Sequence, residues 1–255
     1  MRRRICFEAL SGIPEIQPGD DLAALIVAAL EANALGLCAD SILVVAQKVI
    51  SKSEGRFAWM DEIRPSAKAL ELAAITGKDP ALVELTLSES DRVLRAVPGV
   101  LIVRHRLGYV MANAGIDMSN VPGQDGRERA LLLPLDPDGS ALALRTAVHA
   151  LTGHAPGVLI SDSFGRPWRN GVVNVALGSA GIPALIDRRG DIDRHGRTLQ
   201  VTQTAFADAI AAGAALAMGE GDEGMPVVLA SGFMPDAPVV DCKALLRSID
   251  SDLFQ

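Results

Sequence analysis

Gly157-Val158-Leu159-Ile160-Ser161-Asp162-Ser163-Phe164-Gly165-Arg166-Pro167-Trp168-Arg169-Asn170-Gly171 decides how the chain is read. A short apolar run bounded by polar residues is the pattern of a buried strand. The residues after Ile160 then read as a polar loop at the strand's end. Residues 41–46, Ser-Ile-Leu-Val-Val-Ala, repeat the arrangement and lead into Gln47-Lys48-Val49-Ile50-Ser51-Lys52-Ser53-Glu54-Gly55-Arg56. Further strands are expected at 100–103, 109–112 and 225–229, with Leu107-Gly108 making a hairpin of the first two. Helical spacing or helix punctuation marks 22–34, 65–76, 80–90, a segment ending near 151, and 205–218. Helices and short strands are mixed and hairpins intervene. The pattern therefore predicts a mixed α/β, or α+β, fold and not a regular βαβ series.

The 255 residues are 49% hydrophobic and 22% charged, enough for a substantial core and incompatible with disorder. No apolar run has spanning length, and the basic start Met1-Arg2-Arg3-Arg4 is not followed by a signal-type apolar segment. Cys6, Cys38 and Cys242 are scattered, which argues against a disulfide framework and a cysteine-rich zinc site. A cytoplasmic location is expected, with no membrane partner. The net charge of −7 makes a general nucleic-acid binder a poor reading. GxxxxGK[ST], strand–GxGxxG–helix, HExxH and GxSxG are all absent. His105, His149, His154 and His195 are isolated.

Four segments could carry chemistry. Asn113-Ala114-Gly115-Ile116-Asp117-Met118-Ser119-Asn120 places short polar side chains after a strand, where Asp117 can hold a hard cation. The competing reading is an Asx-type turn in which Asp117 and Asn120 only satisfy backbone groups. Asp162 and Ser163 can supply two oxygen ligands, and Arg166 and Arg169 can hold carboxylate or phosphate. Against this stands a structural loop with Trp168 buried and both arginines in ion pairs. Lys48 and Lys52 are point-charge partners for nucleotide phosphates, or else form a solvated turn screened by Glu54. Met218-Gly219-Glu220-Gly221-Asp222-Glu223-Gly224 admits a ligand close to its backbone, but equally suits a helix stop.

Taken together, these motifs resemble the coenzyme F420-0:L-glutamate ligase family. The likeness runs through Gly12-Ile13-Pro14-Glu15-Ile16 with Gly19-Asp20-Asp21-Leu22, then Val49 to Arg56, Asn113-Ala114-Gly115-Ile116-Asp117, Ser119-Asn120-Val121, and Leu132-Leu133-Pro134 with Asp136-Pro137-Asp138. It continues through Ser161 to Val173, Gly196-Arg197, Val201-Thr202, Ala207-Asp208 and Met218-Gly219. The order is preserved over nearly the whole chain.

The resemblance implies a family-specific ligase fold with mixed and antiparallel sheets, forming an intertwined homodimer. It implies a GTP-dependent, GDP-forming enzyme that joins L-glutamate through a γ-link to F420-0, with Mg²⁺ or Mn²⁺ and K⁺ as a further cation. By matching motif, Asp117 and Asp162 would bind one metal and Ser163 a second. Ile13, Pro14, Glu15, Ile16, Gln47, Lys48, Lys52, Asn120 and the Met218-Gly219-Glu220-Gly221 stretch would lie against GTP. Asp117, Asp162 and Lys52 are the expected catalytic residues, and Arg166 and Arg169 the candidates for substrate. A single catalytic domain over 1–255 is expected, without the nitroreductase-like domain fused to some bacterial members. Two departures stand out: Ala209 where members often carry Glu, and Ala230-Ser231-Gly232 where the last strand often ends Val-Arg-Gly. The alternatives are an amide ligase for a different phosphorylated carboxylate, and an inactive nucleotide-binding homologue.

Overall fold

The computed structural model describes residues 4–119, 121, 123, 125–232 and 234–251. The chain runs β1 (Cys6–Ala9), α1 (Leu22–Ala32), β2 (Ile42–Ala46), α2 (Gln47–Ser53), β3 (Phe57–Trp59), α3 (Ala67–Thr76), α4 (Pro80–Ser88), β4 (Ser90–Val97), β5 (Val100–His105) and β6 (Val110–Ala112). It continues with β7 (Arg129–Leu131), α5 (Pro137–Thr152), β8 (Gly157–Arg166), β9 (Arg169–Ala180), β10 (Leu185–Asp187), β11 (Gln203–Ala205), α6 (Phe206–Met218) and β12 (Val227–Ser231).

A five-stranded sheet, ordered β1-β12-β2-β8-β9, forms the centre. Only β2 and β8 pair in parallel; the other neighbours are antiparallel. The expected mixed α/β class is what the chain adopts. Leu43, Val45, Val158 and Ile160 point to one core with α1 and α5, and Ile42, Val44 and Leu159 to another with α6. The near-continuous apolar runs at 42–46 and 157–160 follow from burial on both faces.

Helix ends obey local chemistry. Asp21 accepts from Ala24 N at the start of α1, and Ser66 from Ala69 N at the start of α3. Asp79 caps α4 with Pro80 in its first turn, and Gly153 ends α5 in the left-handed conformation. Gly178 is needed for close approach: a Cβ there would lie 2.2 Å from the carbonyl carbon of Pro137, at the start of α5.

The parallel step from β2 to β8 carries a long crossover. Within it, α3 and α4 cover the three-stranded sheet β4-β5-β6, and β3 pairs with β7. Strand β4 is an addition to the sequence reading, which had no strand there. Half of its residues are exposed and none is fully buried, so no apolar run announced it.

The segment after Ile160 is corrected too. It is not a loop: β8 runs on to Arg166 and pairs with β9 as a long hairpin. Trp168 lies in its turn with positive φ and is 93% exposed, so the competing reading of a structural loop with Trp168 buried fails. Strand β2 ends at Ala46, opposite Ser161. From Asp162 onward β8 therefore pairs on one side only, and its free edge faces the start of α2.

A β-bulge falls at the same level. Ile160 pairs with Gly178 but Ser161 with Ala176, which leaves Leu177 as the extra residue. The Leu177 carbonyl, free of the ladder, accepts from the Tyr109 hydroxyl at 2.5 Å. Beyond the bulge β9 changes phase, and Asn174 turns to the face shared with Ser163.

Candidate functional site

Where β2 stops, a cleft of about 400 Å³ opens between residues 13–16, the start of α2, the free edge of β8 and the 218–226 segment. Ile13, Pro14, Glu15, Ile16, Gln47, Lys48, Lys52, Asp162, Ser163, Met218, Gly219, Glu220 and Gly221 all line it. These residues come from four distant parts of the chain.

The lysine segment forms a helix, not a turn. Helical spacing puts Lys48 and Lys52 on one face, four residues apart. Glu54 does not screen them; it accepts instead from the Ser140 hydroxyl. Lys52 is only 6% exposed, and its ammonium pairs with Glu15 Oε1 at 2.5 Å. Gln47 is buried and accepts from Ser51 Oγ at 2.8 Å.

Lys48 reaches the other segment. Its Nζ lies 2.5 Å from Asp117 Oδ2 and donates to Ser119 Oγ at 3.2 Å. Asp117 Oδ1 meanwhile accepts from Ser119 N and Oγ at 2.6 and 2.7 Å. The Asx-type turn is thus real, and the carboxylate also pairs with cleft residue Lys48. Burial alone would raise the Asp117 pKa. Hydrogen bonds from Lys48 and Ser119 and the Lys48 charge outweigh it, so the group is held below the usual carboxylate range. Just before it, Asn113, Ala114 and Gly115 all have positive φ. Such backbone is costly for Asn and Ala, and it leads into Asp117, which does not itself line the cleft but meets it through Lys48. Asn120 lies outside the described residues.

Asp162 behaves oppositely. Burial pushes its pKa up to about 7; the Ser163 N–H opposes this, and the negative charge of Asp117 adds to it. Two carboxylates therefore compete for charge beside one lysine. Among the described residues there is no ready-made group of three His, Cys, Asp or Glu for a metal. The oxygen set of Asp117, Asp162 and Ser163 nevertheless suits Mg²⁺ or Mn²⁺, which take one or two carboxylates and complete their shell with water and phosphate oxygens.

The 219–224 loop is folded on itself. Glu223 Oε2 accepts from Gly221 N at 2.8 Å, and its carboxyl occupies the space a Cβ at Gly219 would need. Hydrogen bonds from backbone N–H groups hold Glu223 below its usual pKa.

Arg166 and Arg169 do not line the cleft. They sit at the hairpin tip, where Arg166 donates to the Gly171 carbonyl at 3.2 Å. Ser161 and Asn174 do line it, and sequence reasoning passed over Asn174. The signal was a lone amide within Val172-Val173-Asn174-Val175-Ala176. The Ser231 departure lies roughly 16 Å along β12 from cleft residue Pro226, so the missing arginine is remote from this cleft. Ala209 is exposed on α6.

Fold and cleft together define a mixed α/β protein with a cleft lined by Asp162, Lys48 and Lys52 and flanked by Asp117. The family profile described as F420-0:Gamma-glutamyl ligase matches residues 12–232. Coenzyme F420:L-glutamate ligase of Methanothermobacter thermautotrophicus is 43% identical over 96% of this chain and 97% of its own. Proteins with the same name from Archaeoglobus fulgidus and Natronomonas pharaonis are 46% and 44% identical, covering 88% and 87% of this chain and 86% and 83% of theirs. The chain belongs to the F420-0:γ-glutamyl ligase family. No helix among the described residues is long and apolar enough to cross a membrane.

Proposed function

We propose that the protein is a GTP-dependent, GDP-forming ligase that adds L-glutamate through a γ-link to F420-0. The observation that carries this reading is the convergence of Asp162, Lys48 and Lys52 on one cleft at the end of β2, with Asp117 paired to Lys48 beside it. Family membership and the names of the relatives support it.

A free carboxylate does not accept an amine at neutral pH without activation. In the proposed route the terminal carboxylate of F420-0 attacks the GTP γ-phosphorus, giving an acyl phosphate and GDP. The glutamate amine then attacks the acyl carbon; the amide forms and phosphate and a proton leave. Bound Mg²⁺ or Mn²⁺ would neutralise phosphate charge and align the transfer. Asp117 and Asp162 would hold one such ion and Ser163 a second. Lys48 and Lys52 add positive charge to the phosphate path, each exchanging a carboxylate partner for the nucleotide. Residues 13–16, Gln47 and the 218–221 stretch form the walls against GTP. Arg166 and Arg169, outside the cleft, are assigned to anionic groups of the acceptor that project beyond it.

The proposal further has the chain acting as one catalytic unit within a cytoplasmic homodimer, with K⁺ as an additional cation. Trp168 and Val201 are large apolar side chains left in the open, as a subunit contact would use them. Sedimentation or light scattering tests the dimer. Mass spectrometry of a reaction containing GTP, Mn²⁺, L-glutamate and F420-0 tests the chemistry. A product heavier by glutamyl residues supports the reading. Turnover of another carboxylate in its place overturns the acceptor assignment, and absence of nucleotide binding overturns the whole.

A further inference from the structure

We propose that Asn174 supplies, through Oδ1, a further oxygen ligand to the cation held at Ser163; this rests on the metal-dependent reading above. Asn174 is 7% exposed and lines the cleft. Its Oδ1 is buried and has no hydrogen-bond partner among the described residues. Its Nδ2 faces Met218 Sδ at 3.9 Å, a weak acceptor. A buried carbonyl oxygen left in this state is costly, and native proteins rarely leave one so. An amide oxygen cannot donate, so only a donor or a cation satisfies it. A phosphate oxygen would meet it with like partial charge, while the amide's own donors are turned to the thioether. That favours a cation.

Position agrees with chemistry. Asn174 pairs directly across from Ser163, which places the two side chains on one face about 5 Å apart at Cβ. The bulge at Leu177 is what turns Asn174 to this face. Ser161, two residues before Ser163 on the same face, also lines the cleft and has a buried oxygen with no partner among the described residues. Neutral hydroxyl and amide oxygens are ligands for hard cations.

The test is Mn²⁺ binding followed by electron paramagnetic resonance with GDP present, which requires no turnover. The wild-type protein is expected to take up two Mn²⁺. Asn174→Leu, of similar volume, should weaken one ion about tenfold or more, leave the ion at Asp117 and Asp162 unchanged, and not lower Tm. Asn174→Asp should bind two ions. Two ions bound by Asn174→Leu with wild-type affinity would overturn the assignment. So would equal loss of both ions together with a fall in Tm, which marks a structural role. If the wild-type protein binds no Mn²⁺, the metal-dependent reading itself fails and takes this inference with it.

Discussion

Lys48 Nζ lies 2.5 Å from Asp117 Oδ2, tying the first turn of α2 to the segment that follows β6. Asp117 and Asp162 repel each other, and Lys48 is the positive charge that offsets that repulsion. The pair also explains why Asp117 stays ionised while Asp162, deeper in the site, is driven towards its neutral form.

Asp162→Asn should separate function from stability. The variant loses the charge the cleft disfavours, so the metal-free protein should gain on the order of 1 kcal/mol. Metal-dependent turnover should fall by about 100-fold or more. Denaturant unfolding and a steady-state assay check both. A fully active variant would remove Asp162 from the catalytic set.

Lys52→Met keeps the buried stem and removes the charge. Nucleotide affinity should fall by about tenfold or more, since a charge-assisted contact to phosphate is lost. Its partner Glu15 has an exposed side chain and can take up water, so the fold should survive. Isothermal titration with GDP measures the loss; unchanged affinity would leave Lys52 a structural residue.

Much of this site was legible in the sequence, and the reasons are local. The runs at 42–46 and 157–160 are buried on both faces and therefore uniformly apolar. Caps and prolines announced α1, α3, α4 and α5. Asp117 and the two lysines stood in polar segments next to strands, where ligand contacts gather. What failed to show was structure made by pairing alone. The outer half of the β8–β9 hairpin has no core beneath it, so Gly165, Pro167 and Gly171 gave it the look of a loop. Strand β4 lays only Val93 and Ala96 against its core and leaves half of its residues exposed, so it has no apolar run to mark it. Asn174 was hidden because its facing depends on a bulge, and a one-residue change of phase leaves no mark in composition.

Glu89 offers a pH test away from the cleft. It accepts from Arg56 and Arg106 at 3.1 and 3.0 Å, with His105 Nε2 at 3.6 Å. Burial would raise its pKa, but His105, Arg106 and Arg56 together lower it. A depressed carboxyl stabilises the fold above its unfolded pKa, about 4.3, and loses that contribution as pH falls through the folded value. Glu89→Gln should therefore cost roughly 3 kcal/mol at neutral pH, with the gap from wild type closing below about pH 4. Urea melts at pH 7 and pH 3.5 measure it, and a pH-independent gap contradicts the account.

Gly178→Ala should destabilise by about 3 kcal/mol, because its Cβ meets backbone at Pro137 that no rotamer change can move. Asp138 Oδ1, which accepts from Ser179 N and Cys242 N, would be pulled from both. Thermal unfolding reads the loss, and a neutral substitution would show that α5 can shift outward freely.

The central claim is most directly tested by incubating the purified protein with F420-0, L-glutamate, GTP and Mn²⁺ and weighing the products, alongside Asp117→Ala. The account predicts an acceptor heavier by one or more glutamyl residues, GDP in matching amount, and neither with the variant. A glutamylated product made without nucleotide, or made equally by Asp117→Ala, would contradict it.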